Sequence, residues 1–142
     1  MINAFNGKYF FLSNFFPCHI NYEGIIYPST EHAFQAAKTL DIGKRRTISV
    51  LKTAREAKAY GRKIPLRTDW EGSKVHIIYK LCHLKFIQSE LKQQLLSTGK
   101  EQLIEGNTWG DAFWGVCNGK GKNYLGKILM HIRGRLKIME EA

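Results

Sequence analysis

The chain has 142 residues, 44% of them hydrophobic, with 22 Lys and Arg against 12 Asp and Glu for a formal charge of +10. That length and apolar content predict a single compact domain over 1–142 with a real core, and exclude a disordered chain. No apolar run reaches membrane-spanning length, and the polar, aromatic start Met1-Ile2-Asn3-Ala4-Phe5-Asn6 does not read as a signal peptide, so a cytoplasmic protein with no membrane partner is expected.

The charge is concentrated. Ten basic residues lie between Lys38 and Arg67 against only Asp41 and Glu56, and six lie between Asn118 and Ile138 with no acid. Such a balance favours phosphate-bearing partners, nucleotides or nucleic acid. Cys18, Cys82 and Cys117 are odd in number and widely spaced, and read as reduced thiols. With no Cys-x-x-Cys pair, and with His76 and His83 lacking a third ligand at zinc spacing, neither metal nor cofactor is expected.

In chain order, Leu12-Ser13-Asn14-Phe15 reads as a loop whose Ser13 and Asn14 can hydrogen-bond a ligand. Asn21-Tyr22-Glu23-Gly24 between two apolar runs predicts a short hairpin. Pro28 keeps Tyr27 extended, and Ser29 or Thr30 can cap a helix reaching Lys38. Ala33, Ala36, Ala37 and Leu40 form a small apolar stripe on it, while Glu31, Phe34, Gln35 and Lys38 share another face. A second helix is expected from about Lys44 to Leu51, and a third from the capping box Thr53-Ala54-Arg55-Glu56 to Gly61.

A further capping box, Thr68-Asp69-Trp70-Glu71, opens a long helix that should bury Val75, Ile78, Tyr79, Cys82 and Phe86. Ser89 caps a shorter one stopped by Gly99. Leu103-Ile104-Glu105 is a strand candidate, and the last helix carries Leu125, Leu129, Ile132, Leu136 and Met139 as its stripe. The sum is an α+β chain, mostly helical, with a small antiparallel sheet.

Two tryptophan–carboxylate clusters, Asp69-Trp70-Glu71 and Trp109-Gly110-Asp111, suit a site that stacks a base and handles charge at a glycosidic carbon. Glu31 and Asp111 are the candidate catalytic pair. Lys38 has two readings, a point charge for phosphate or an amine that forms a Schiff base with an opened ribose. Gly119-Lys120-Gly121-Lys122-Asn123 has the composition of a phosphate cradle ahead of a helix, or of a surface turn. The overlapping Gly121-Lys122-Asn123-Tyr124-Leu125-Gly126-Lys127 mimics a P-loop, but Ile128 stands where that motif needs Ser or Thr for magnesium.

Together these stretches resemble the NADAR domain family, also called YbiA-like proteins. The matches run from Phe11-Leu12-Ser13-Asn14-Phe15 through Tyr27-Pro28-Ser29-Thr30-Glu31-His32 with Gln35-Ala36-Ala37-Lys38, then Gly61 to Arg67 with Asp69-Trp70. They continue through Glu105-Gly106-Asn107, Trp109-Gly110-Asp111 and Phe113-Trp114-Gly115 to Asn123, Leu125-Gly126, Leu129-Met130 and Ile132-Arg133.

The resemblance implies an N-glycosidase acting on phosphoribosylamino-pyrimidine intermediates of riboflavin synthesis, or removing ADP-ribose from guanine in DNA or RNA. It places Glu31, Trp70, Trp109 and Asp111 at positions proposed for the active site, and Lys38 on the family's lysine. Ser13, Asn14, Gln35, Trp70, Trp109, Lys120, Lys122 and Asn123 are the expected substrate contacts. A non-catalytic ADP-ribose or nucleic-acid reader is the alternative.

Overall fold

Glu23 and Gly24 both take positive φ, 49° and 88°, so they form the two-residue turn that matches the twist of paired strands. Strands β1 (Pro17–Tyr22) and β2 (Ile25–Ser29) therefore pair antiparallel, with Tyr22 opposite Ile25 and Ile20 opposite Tyr27. Alternation buries Ile20, Tyr22 and Tyr27 on one face and leaves Ile26 exposed. All residues 1–142 are described by this computed structural model, which has seven helices in all. It is the mostly helical α+β fold with a small antiparallel sheet that the sequence predicts. Its helices fall into two compact units, Asn14–Lys85 and Met1–Ser13 with Phe86–Ala142.

In the Asn14–Lys85 unit, Ser29 ends β2 and starts helix α1 (Thr30–Ala37), its Oγ accepting from the His32 N–H at 3.1 Å. A cap of this kind stabilises by about 1 kcal/mol. The His32 ring completes it. Nε2 lies 2.9 Å from the Leu51 carbonyl, which can only accept, so Nε2 carries the proton and Nδ1 accepts from Ser29 Oγ at 2.6 Å. All eight residues of α1 are buried, so the expected division into an apolar stripe and a second face gives way to a helix enclosed on every side. β1, β2 and helices α2 (Ile42–Ser49) and α3 (Ala54–Gly61) pack around it. Leu40 lies beyond its end and is exposed.

Asp41 caps α2 through the Lys44 N–H at 3.0 Å, so this helix starts ahead of the expected Lys44. Thr53 caps α3 as predicted, accepting from the Glu56 N–H at 3.1 Å. Gly61 is the last residue of α3 and has no positive φ, so it is not a left-handed stop. It is small because α3 meets α1 there. Helix α4 (Trp70–Phe86) buries Ile77, Ile78, Leu81, Cys82, Lys85 and Phe86, while Val75 is exposed and Tyr79 half-buried. The stripe is thus rotated from the expected one. Lys85 has no exposed surface; its ammonium lies over the Phe16 ring, and burial pushes its pKa down to about 8 although the Cys18 and Cys82 thiols pull the other way.

In the other unit, a 3-10 helix (Gly7–Leu12) precedes helix α5 (Ser89–Ser97), which packs on α6 (Tyr124–Glu141). Ser89 lies inside α5, with Gln88 at the cap position, and Gly99 follows at φ 64°. Of the expected strand at 103–105, only Leu103 pairs, in a single parallel bridge to Ile2. The strand begins later: β3 (Gly106–Asn107) runs parallel to β4 (Val116–Cys117), a second pair the sequence does not announce. Gly106 lies so near the Asn3 carbonyl that a side chain would strike it. The α6 stripe is buried through Leu136, but Met139 is exposed. No helix is long and apolar enough to cross a membrane.

Burial holds the His32 pKa below the usual imidazole value; the Leu51 carbonyl and Glu56 oppose this. Unfolded His32 takes a proton near pH 6.5, and folded His32 only at lower pH, so the unfolded state binds more protons in between. The stability His32 confers is complete above about pH 6.5 and is lost as pH falls below it. Thermal denaturation from about pH 7.5 to 5 should show a falling Tm, and His32→Gln should flatten that slope.

Candidate active site

Glu31 stands in the first turn of α1, where free N–H groups and the helix dipole favour negative charge. Its own N–H donates to the Asn14 carbonyl at 2.9 Å, and its Oε1 accepts from Gln35 Nε2 at 2.7 Å. The residue is only 7% exposed. Lys38 follows at the end of the helix. Burial holds its ammonium below the usual lysine range; the Glu31 carboxylate works the other way, and Arg62 and Lys58 add to the lowering. A carboxylate and three cations thus feel one another around α1.

Trp70 enters this unit from the start of α4. It is 5% exposed, and its ring lies 5.1 Å from that of Phe34 at 49°. Arg67 sets its position, accepting the Trp70 N–H on its carbonyl at 3.2 Å while its own N–H donates to Lys38 O at 2.7 Å. The Arg67 guanidinium forks onto Asp69 at 2.6 and 3.1 Å. Asp69 is therefore spent on Arg67 and Ser73, and exposed Glu71 pairs with Lys74. Of the Asp69-Trp70-Glu71 cluster, only Trp70 packs against α1. Asn14 turns its side-chain carbonyl toward the Cys82 thiol at 3.9 Å.

The remaining expected residues lie in the other unit, on the segment 105–124 and at Ser13, which follows the 3-10 helix. Asp111 Oδ1 accepts from the N–H groups of Phe113 and Trp114 at 3.1 and 2.9 Å, which holds the loop in shape. Asn107 brackets the same residue, accepting its N–H at 3.0 Å and donating to its carbonyl at 2.8 Å. Oδ2 of Asp111 stays open to other partners. Trp109 is 63% exposed, a large ring to leave in water.

In the glycine–lysine loop the N–H groups of Lys120, Lys122 and Asn123 are taken up by the chain itself. The N–H groups of Lys122, Asn123, Tyr124 and Leu125 donate to the carbonyls of Ala112, Gly115, Phe113 and Trp114. Those four N–H groups are not available to an anion. Asn118 and Gly119, both at positive φ, instead form a tight turn closed between Cys117 and Lys120. Lys120 is exposed, and Lys122 lies over the rings of Phe113 and Tyr124. Asn123 is buried with both ends of its amide used by the chain, at Glu105 N and Leu103 O. No three His, Cys, Asp or Glu side chains gather as a metal site.

A family model described as the NADAR domain matches residues 3–137. The chain belongs to the NADAR family. It is 42% identical over 130 residues to the N-glycosidase YbiA of Shigella boydii, covering 89% of this chain and 81% of that protein. A riboflavin biosynthesis protein of Vibrio vulnificus is 37% identical over 131 residues, covering 89% of this chain and 35% of the relative. The NMR structure of Escherichia coli YbiA superposes with a TM-score of 0.84 at 37% identity, covering 99% of this chain and 89% of that one.

Three residues of this NADAR chain, Lys58, Arg62 and Gly61, escape a reading of its sequence. Lys58 and Arg62 reach the electrostatic neighbourhood of Lys38, and their i, i+4 spacing on α3 was the available signal. Gly61 fits against Gln35, and nothing in the sequence separates that from a helix stop.

The charges around Lys38 can be read directly. By NMR, the side-chain 13C signal of Lys38 should titrate below those of the exposed lysines. Arg62→Gln removes a cation and should move it up; Glu31→Gln removes an anion and should move it further down. Titration alongside the exposed lysines in every variant would contradict the arrangement.

Proposed function

We propose that this chain hydrolyses the N-glycosidic bond between a base or amine and a phosphorylated ribose, with Glu31 as the catalytic carboxylate. The observation that carries the reading is the burial of Glu31 at the head of α1 with Lys38 within its electrostatic reach. A structural helix has little use for a carboxylate enclosed in this way, whereas cleavage of a glycosidic bond needs one. The names of the relatives, N-glycosidase and riboflavin biosynthesis protein, support the same reaction class. The family match over 3–137 supports treating residues 1–142 as one functional domain.

As the C1–N bond lengthens, positive charge builds on C1 and the ring oxygen of the ribose, and the Glu31 carboxylate stabilises it. The leaving base takes up a proton and the water that adds at C1 gives one up; for that exchange the resemblance offers Asp111. Lys58 and Arg62 hold phosphate, and the Lys38 ammonium, disfavoured by burial but supported by Glu31, adds a further point charge there. Exposed Trp109 offers a face for stacking.

The first substrate class is a phosphoribosylamino-pyrimidine. The second is ADP-ribosyl guanine in DNA or RNA, favoured by the exposed cations Arg46, Lys52, Arg55, Arg62 and Lys63 of the α2–α3 segment. Each is incubated with wild type and with Glu31→Gln, and products are followed by mass spectrometry. Wild type should release either the pyrimidine amine and ribose phosphate from the first or ADP-ribose from the second, leaving its guanine in the nucleic acid, and Glu31→Gln should melt like wild type but turn over neither. Equal rates would remove Glu31 from the chemistry; no cleavage of either substrate by wild type would overturn the reading.

A further inference from the structure

Gln35 has the look of a ligand-facing amide in sequence, but the structure turns it inward. Its Nε2 donates to Glu31 Oε1 at 2.7 Å, one turn back along α1. Its Oε1 is buried with no hydrogen-bond partner, and the residue is 3% exposed. A buried carbonyl without a donor is costly, so packing alone would favour a hydrocarbon of the same length here. What the amide gains in exchange is a charge-assisted bond to the carboxylate.

The other side of that amide is closed by Gly61. A methyl group at position 61 would come within 1.9 Å of Gln35 Oε1, 2.7 Å of Cδ and 3.1 Å of Cβ. Because the backbone at 61 has no positive φ, glycine is required by this approach rather than by a turn. Any side chain there must push the amide off its place, and Gln35 is enclosed, so the shift falls on its bond to Glu31.

We propose that Gly61 and Gln35 are a positioning pair for the Glu31 carboxylate. The bare backbone of α3 seats the amide, and the amide fixes the carboxylate before positive charge develops on the substrate. This rests on the reading of Glu31 as the catalytic carboxylate. A group held ready in this way costs no reorganisation as the bond breaks, so losing it lowers kcat and leaves KM largely alone.

The test compares wild type, Gln35→Leu, Gly61→Ala and the double variant on a phosphoribosylamino-pyrimidine, with melting curves for each. Gln35→Leu conserves volume, so it keeps the test open if Gly61→Ala folds poorly. Expected is a fall in kcat of about tenfold or more for each single variant with KM little changed. The double variant should be no slower than Gln35→Leu, because both changes break one contact. Independent of turnover, the Gln35 side-chain amide signal in NMR should move in Gly61→Ala.

Multiplying effects in the double variant, a raised KM at unchanged kcat, wild-type kinetics in Gln35→Leu, or an unmoved amide signal would overturn the pair. If Glu31→Gln itself retains turnover, the failure lies instead with the catalytic reading of Glu31.

Discussion

A carboxylate enclosed at the head of a helix is the constraint around which the Asn14–Lys85 unit is arranged. Burying an ionised group without support costs several kcal/mol, about the whole margin of stability of a small domain. Support comes from the positive end of α1, the Gln35 amide and the Lys38 side chain. The helix itself is pinned at both ends. Ser29 and His32 lock its start to Leu51, and Arg67 covers its last carbonyls. The bond to Leu51 and the one from Arg67 join segments far apart in sequence.

The same enclosure suits the chemistry. An oxocarbenium-like transition state is stabilised most by a negative charge that is already fixed and shielded from water. Burial that lowers the Lys38 pKa is opposed by the Glu31 carboxylate, so the two groups depend on each other for their charge.

Much of this frame was legible in the sequence because its signals are short-range. Glu23-Gly24 makes a turn wherever two strands flank it, and Ser29 and Thr53 cap helices through bonds to residues three positions on. The resemblance grouped Glu31, Lys38, Trp70, Trp109 and Asp111; the first three lie in the Asn14–Lys85 unit and the other two in the second unit. What could not be read depends on partners distant in the chain. All sides of α1 are covered by other elements, so its pattern could not reveal which residues face them. The buried stripe of α4 is offset and includes Lys85, a residue type that normally marks the solvent side. Gly61 reads as a helix stop until the Gln35 amide is seen against it. The glycine–lysine loop looked ready for phosphate because nothing in its composition announces that the carbonyls of Ala112 to Gly115 take its N–H groups.

The central claim is that a fixed negative charge stabilises positive charge on the ribose as the glycosidic bond breaks. The most direct measurement is the secondary isotope effect in single-turnover cleavage of a substrate deuterated at the ribose C1. A carbon becoming trigonal and cationic loosens the bending of that C–H bond, so the account predicts a normal effect, with the deuterated substrate cleaved more slowly. Equal or faster cleavage of the deuterated substrate in that single turnover would mean that no such charge develops at C1, and would contradict the role given to Glu31.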